Sequence, residues 1–273
     1  MTFNTGETSE ELKSIYNPEG STMRRSQLRM LEMVKFIDDI CTKNNIDYFI
    51  TAGNLIGAVR HGGFIPWDDD FDIVVSQKDL GKLKKLLLNQ KSDFVLQCHK
   101  TDKGFVRHWP VLRDTKSEYI KDELVHAARK YKGLQVDIFS WESGVFKWGR
   151  RLSSLFVFFN EKYLVYRNGG GYKFLRELFF YFPEIFVVPV LRFFSLFRSK
   201  KVIGYGYDSI FVSKWNKDDV FPLKRITYED TQLPAPNNPG AILLGEFGDD
   251  CKNLPPKNQR REHHGVDDVV FYD

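Results

Sequence analysis

The feature that most limits the fold is the stretch Pro66-Trp67-Asp68-Asp69-Asp70-Phe71-Asp72-Ile73-Val74-Val75. An acidic run behind a proline is commonly a solvated turn. Here it leads straight into the apolar pattern of a strand buried in a sheet. Residues two apart in a strand share a face. Asp70 and Asp72 therefore point the same way, while Phe71 and Ile73 enter the core. Asp68 lies one step further along that face if the strand extends so far back. Carboxylates aimed at one point repel each other, and a divalent cation between them removes the repulsion. Oxygen donors suit Mg²⁺, which takes one or two carboxylates and completes its shell with water and phosphate oxygens; Mn²⁺ is the alternative. Asp137 is a candidate third carboxylate. In Leu134-Gln135-Val136-Asp137-Ile138-Phe139 it faces away from Val136 and Ile138, and an Asp between buried neighbours needs a partner.

The segment upstream adds a second expectation. Leu28, Leu31, Val34, Ile37 and Cys41 recur at helical spacing. Asp47 to Ala52 reads as a strand that ends at Gly53. A short helix follows over residues 54–60, with Asn54 as its N-cap, and Gly62-Gly63 breaks it. The amide cluster at Gly53 and Asn54 is suited to phosphate, about 17 residues before the aspartate pair. Arg60 and His61 add charge toward a phosphate; otherwise they end a surface helix. Leu80, Leu83, Leu86 and Leu87 mark another helix. Residues 94–96, 105–112 and 134–139 are further strand candidates. This order predicts an α/β (α+β) catalytic core over residues 23–149, preceded by a loose arm over 1–22.

Composition changes near Arg150. Residues 150–201 hold ten Lys and Arg against three Asp and Glu, although the whole chain carries only +4, and they include fifteen Phe and Tyr. The longest apolar run, residues 178–191, has 14 residues and contains Pro183, Glu184 and Pro189, which reads as too short to span a bilayer. A helical insertion at a membrane interface fits this mixture, as does an insertion packed on the core. Stacking on single-stranded nucleic acid fits less well, because the aromatics cluster with Val, Leu and Ile. Residues 202–273 return to ordinary composition and complete the catalytic domain, ending polar and loop-like around Pro234, Pro236 and Pro239. The three cysteines are widely spaced and suggest neither a disulfide framework nor a zinc knuckle. They fit a reducing, cytoplasmic compartment. Residues 1–21 have no apolar core of a signal peptide.

The run from Tyr48 through Ala52-Gly53-Asn54, Arg60-His61-Gly62-Gly63 and Trp67-Asp68-Asp69-Asp70-Phe71-Asp72 resembles the signature of the LicD family, which includes phosphorylcholine transferases and fukutin-related proteins. Gln27-Leu28 to Cys41, Val136-Asp137-Ile138-Phe139, and Leu254-Pro255-Pro256 with Arg260 or Arg261 and His263-His264 extend the likeness. It covers roughly residues 23–140 and 228–265. Ala52-Gly53-Asn54 departs from it, since the family commonly has Gly-Gly followed by Thr. The resemblance implies a nucleotidyltransferase-like mixed sheet flanked by helices. It implies transfer of a phospho-substituent, phosphocholine first, from a CDP-activated donor to a glycan hydroxyl; glycerol or ribitol phosphate is the alternative. Asp70, Asp72 and Asp137, with Asp68 assisting, would hold the metal. Gly53, Asn54, Arg60, His61, Arg260, His263 and His264 would face the donor, although the two tail histidines also fit an exposed terminus. No nucleic-acid partner is expected. A lipid-linked acceptor would place the protein peripherally on the cytoplasmic face of the membrane. A catalytically silent scaffold is the reading from another class.

Overall fold

The computed structural model describes residues 6–121, 123–167, 169–260 and 268–272. The segment expected to be a loose arm contains helix α1 (Ser9–Tyr16). The Glu11 N–H donates to the Thr8 hydroxyl at 3.2 Å, and the Thr8 N–H donates to the Glu11 carboxylate at 2.7 Å. This reciprocal capping box fixes the helix start. Leu12 is fully buried, and Asn17 donates to Gln27 Oε1 at 2.6 Å. Two turns offer too few apolar positions for periodicity to announce them.

Helix α2 (Thr22–Lys43) buries Met30, Leu31, Met33, Val34, Ile37, Ile40 and Cys41. Leu31, Val34, Ile37 and Cys41 of the expected stripe are buried, and Leu28 is exposed. There follow β1 (Tyr48–Ile50), α3 (Ala52–His61), β2 (Asp72–Ser76), α4 (Gln77–Leu88), β3 (Phe94–Gln97), β4 (Val111–Asp114), β5 (Ser117–Tyr119), α5 (Leu124–Ala127) and β6 (Gln135–Ser143). The strand expected over 105–112 forms only from Val111; Phe105, Val106 and Trp109 are buried from a loop instead.

The main sheet has seven strands in the order β1-β2-β6-β4-β3. β7 (Val202–Tyr205) continues it from the far end of β6, and β8 (Lys214–Asn216) lies beyond β7. Only β2 and β6 run parallel; the other pairs are antiparallel. The result is a mixed sheet with α2 and α4 packed against its centre. Ile73, Val74, Val75, Val136 and Ile138 bury its middle.

The basic aromatic segment is helical, as expected. α6 (Lys147–Phe159) passes into a π turn over Asn160–Leu164. α7 (Gly170–Phe182), a π turn over Pro183–Val187 and α8 (Val188–Ser195) then form one continuous helix of 26 residues. Pro183 and Pro189 lie inside this helix, where each removes an N–H from the ladder, and the π turn over Pro183–Val187 falls at that place. By length and composition this helix is able to cross a membrane, which corrects the estimate made from the 14-residue run. After α9 (Lys217–Val220) and β9 (Lys224–Tyr228), the stretch around Pro234, Pro236 and Pro239, expected as loop-like, forms β10 (Thr231–Ala235), which pairs with β9, and α10 (Pro239–Phe247). Pro234 is tolerated because the ribbon has only two strands. β11 (Val269–Phe271) pairs with β5.

Candidate active site

β2 begins at Asp72, so strand alternation does not reach back to Asp70 or Asp68. Those residues are placed by a loop that two buried amides clamp. Asn54, in the first turn of α3, accepts from the Asp72 N–H at 2.7 Å and donates to the Asp70 carbonyl at 3.3 Å. Gln27 of α2 donates to the Asp68 carbonyl at 2.9 Å and the Ile65 carbonyl at 3.2 Å. A Cβ at Gly53 would stand 2.8 Å from Asp68 Oδ2, so glycine is what lets that carboxyl approach α3.

The parallel register of β2 and β6 sets Asp72 opposite Asp137. Pairing continues one residue back, where the Asp137 N–H donates to the Phe71 carbonyl at 2.8 Å. Trp109 Nε1 donates to Asp137 Oδ1 at 2.7 Å, and Gln135 Nε2 donates to Oδ2 at 2.6 Å. Both oxygens are thereby oriented by neutral donors.

Burial pushes the Asp68 and Asp72 carboxyls well above the usual carboxylate range. Like charge adds to it. Asp68 feels Asp70, Asp69 and Asp72, and shares a side-chain hydrogen bond with Asp70. Asp72 feels Asp70, Asp137 and Glu246. Such a donor set, all oxygen and mutually repelling, fits a hard divalent cation. Among the described residues no three His, Cys, Asp or Glu side chains are already gathered as metal ligands, so the carboxylates would have to close on the ion.

The phosphate expectation at α3 meets a different arrangement. The helix starts at Ala52 with Thr51 as its N-cap, not at Asn54. Its amino end faces a carboxyl from α10. Glu246 accepts from the Thr51 hydroxyl at 3.3 Å, from Trp215 Nε1 at 3.0 Å and from the Ala52 N–H. Burial pushes this carboxyl up to about 7 against those donors. Ala52 itself has φ 49°, in the left-handed region that favours glycine.

His61, expected to offer positive charge, is carried down to about 4 by burial and by Arg60 and Lys13. It is neutral at pH 7, and its Nδ1 lies 2.8 Å from the Ser9 hydroxyl. Arg60 donates to the Cys251 carbonyl at 2.6 Å and the Asn253 carbonyl at 3.2 Å. Arg260 bonds the Pro255 carbonyl at 2.8 Å, pairs with Glu7 at 2.7 Å and lies over the Trp67 ring at 5.4 Å. Arg60 and Trp67 line a cleft of about 440 Å³ with Phe247, Asn253 and Leu254. The structure thus brings Gly53, Asn54, Asp68, Asp70, Asp72 and Asp137 into one neighbourhood, though not as a closed ligand set, and places Arg60 on a nearby cleft, with Arg260 bonded to Pro255 of its lining. Arg261, His263 and His264 lie outside the described residues.

Trp109, Gln135 and Glu246 were missed by sequence reasoning. Gln135, two residues before Asp137, was open to detection as a same-face neighbour. Trp109 and Glu246 reach the site only through tertiary packing.

Residues 45–192 match a family described as LicD/FKTN/FKRP, nucleotidyltransferase domain. Over 58 residues the chain is 41% identical to the lipopolysaccharide cholinephosphotransferase LicD of Haemophilus influenzae, covering 21% of this chain and 22% of that protein. Over 55 residues it is 33% identical to the ribitol 5-phosphate transferase FKRP of Mus musculus, covering 20% and 11%. A 63-residue match at 43% identity to an uncharacterized protein of Rickettsia prowazekii covers 23% and 24%. The chain thus matches 24% or less of the length of each of these relatives.

Proposed function

This chain belongs to the LicD family, and from that premise we propose that it is a metal-dependent transferase. It moves a phospho-substituent from a CDP-activated donor to a hydroxyl of a cell-surface glycan or its lipid-linked precursor. The observation that supports this most is the register that sets Asp72 against Asp137 with Asp70 and Asp68 crowding the same place. Phosphocholine is the first choice of group, and glycerol or ribitol phosphate the alternative. The crowded carboxylates favour an enzyme over a silent scaffold, which would have no use for their repulsion.

The acceptor hydroxyl oxygen attacks the donor phosphorus that carries the choline or polyol. A new O–P bond forms as the bond to CMP breaks, and CMP leaves with the electron pair. The hydroxyl proton passes to a carboxylate, for which Asp137 is the candidate when it is not a ligand. Asp68, Asp70, Asp72 and Asp137 would hold Mg²⁺ or Mn²⁺, which when bound offsets the charge building on the phosphate oxygens. Trp109 and Gln135 keep Asp137 aimed, and Asn54 and Gln27 keep the acidic loop in place. Gly53 and Asn54 thus serve the donor indirectly, while Arg60 flanks it from the adjoining cleft and Arg260 braces Pro255 and Trp67 of that cleft.

The exposed aromatics of the insertion support attachment to a membrane surface, which this reading takes to be the cytoplasmic face. The long helix turns its two carboxylates inward. Glu177 lies 3.0 Å from both His99 Nε2 and Lys103 Nζ, and Glu184 lies 2.8 Å from His108 Nδ1. Phe180 stacks on both imidazoles, at 3.9 and 4.9 Å. One side bound to the catalytic domain favours a helix lying along the surface over one crossing it. The test is incubation of the full chain with Mg²⁺, envelope glycan and CDP-choline, CDP-glycerol or CDP-ribitol in turn. One donor should release CMP and add the mass of its phospho-substituent to the glycan; no CMP from any of them would overturn the reading.

A further inference from the structure

Beside the carboxylates the chain collects three arginines, Arg107, Arg113 and Arg129, with one carboxylate, Glu161, in direct contact with two of them. Arg107 lies over the Trp109 ring at 5.1 Å, and the same ring donates to Asp137. One indole therefore separates Arg107 from the candidate metal site. Arg129 and the fully enclosed Arg113 stand close enough to feel both Arg107 and Asp137. Arg113 spends its N–H groups on neutral acceptors, Gln97 Oε1 and the Gly133 carbonyl, both at 2.7 Å. Arg107 and Arg129 converge on one atom: Glu161 Oε1 accepts from Arg107 Nε at 2.9 Å and from an Arg129 terminal nitrogen at 3.0 Å. Among the described residues neither arginine pairs with another carboxylate.

Glu161 comes from the basic aromatic segment. It sits in the π turn of the insertion, where the Val165 N–H reaches the Asn160 carbonyl at 2.9 Å. π turns disturb a helix locally and recur at functional sites. The three side chains are 24%, 12% and 24% exposed for Arg107, Arg129 and Glu161, so solvent and solutes reach them. Two guanidiniums closing on a single oxygen present the fork that also suits a phosphate, and most of their N–H donors are not used by that oxygen.

We propose that Arg107 and Arg129 form a phosphate subsite next to the carboxylates, and that Glu161 of the insertion fills it as an internal competitor. A phosphate of the substrate displaces the Glu161 carboxylate and takes over its two donors. The insertion that faces the membrane thereby holds one side chain in the active-site mouth. The substrate assignment rests on the transferase reading; the anion subsite does not. The phosphate belongs to a nucleotide donor or to a lipid-borne acceptor.

Two binding assays on the full chain separate these sources, without acceptor or turnover. One is calorimetric titration with inorganic pyrophosphate and with CDP in magnesium buffer. The other is flotation with vesicles of phosphatidic acid in phosphatidylcholine, against phosphatidylcholine alone. Glu161→Gln should bind at least about tenfold tighter in one arm, since a charge-assisted competitor is gone. Arg107→Gln and Arg129→Gln should each bind at least about tenfold more weakly, and Glu161→Gln should bring no gain once both arginines are replaced. A gain with pyrophosphate and CDP assigns the donor; a gain with phosphatidic acid assigns a lipid phosphate. A folded Glu161→Gln variant with unchanged or weaker binding in both arms would mark a purely structural ion pair and overturn the proposal. If that variant does not fold, unchanged binding by Arg107→Gln overturns it equally. Failure of every donor to release CMP would sink the transferase reading and leave these binding results readable.

Discussion

Asp69 is fully buried, while Phe197 is 76% exposed. The acidic loop and the insertion depart from ordinary burial in opposite directions. The loop draws Asp68 and Asp69 inside, beside the buried Asp137 of β6, and holds its backbone with neutral amides. The insertion turns Phe174, Phe186 and Phe193 outside and is held to the core through its carboxylates. One region carries an electrostatic cost and the other a hydrophobic one. On the function proposed above, a cation would relieve the first and a lipid surface the second. Regions built for folding alone would do neither.

The comparison breaks most visibly if the carboxylates prove to be structural. Asp70→Asn or Asp72→Asn should lower turnover by about 10²–10⁴-fold, read as CMP release, while the melting temperature in chelator rises because like charge has been removed. Full activity with a lowered melting point would reverse the reading. Next in size is the insertion. Replacing Phe193, Phe194 and Phe197 with Ser should weaken vesicle binding by about 10²-fold or more, given roughly 1.5–3 kcal/mol for each large side chain fully buried. Stability in solution should hold, since these rings are more than half exposed. The basic share of that binding falls to Arg198, Lys200 and Lys201. Arg192 is already committed to Glu142, with both contacts at 2.9 Å. Changing those three to Gln should cost at most roughly 1 kcal/mol each on anionic lipid, in an effect that fades with salt. Unchanged sedimentation with anionic vesicles would make the aromatic face something other than a lipid contact.

A smaller effect tests the electrostatic side through pH. Glu246 titrates in the folded chain at about 7, raised from 4.5. The folded state therefore holds this proton where the unfolded chain has lost it, so stability falls as pH rises from 4.5 to 7. Glu246→Gln should be the more stable protein above pH 7, by about 1–2 kcal/mol, with the gap closing toward pH 4.5. Melting curves across that range check it, and a gap that does not change with pH would remove Glu246 from the charged cluster. Smallest is Ala52→Gly, which relieves a left-handed residue at the mouth of α3 and should stabilise by about 0.5–1 kcal/mol. A lower melting point would show that the Ala52 conformation carries no strain.

Much of the site was legible because it is local. The step from Asp72 into Ile73-Val74-Val75 announces a strand, and the Asp137 pattern announces its partner. Gly62, with φ 65°, ends α3 where the glycine pair predicted a break. What sequence could not give depends on distance along the chain. Trp109 and Glu246 meet the carboxylates only after the sheet has closed. The identity of the α3 cap followed from where β1 stops, and that boundary is fixed by pairing with β2 rather than by propensity. The 26-residue helix was misjudged because its prolines read as breaks in one dimension, while π turns carry the chain through them in three.

The anchoring of that helix sets a distance. Glu177 and Glu184 are seven residues apart, nearly two full turns, so both leave the helix from one side about 10 Å apart along its axis. A rod held at two points on one side cannot roll. A surface that accepts its aromatic side accepts the whole catalytic domain at a single azimuth, and the standoff between that surface and Asp72 becomes a constant of the molecule. On the proposed function, hydroxyl groups at that height would be within reach and others would not, so the helix would act as a ruler that selects where along a tethered glycan the reaction takes place.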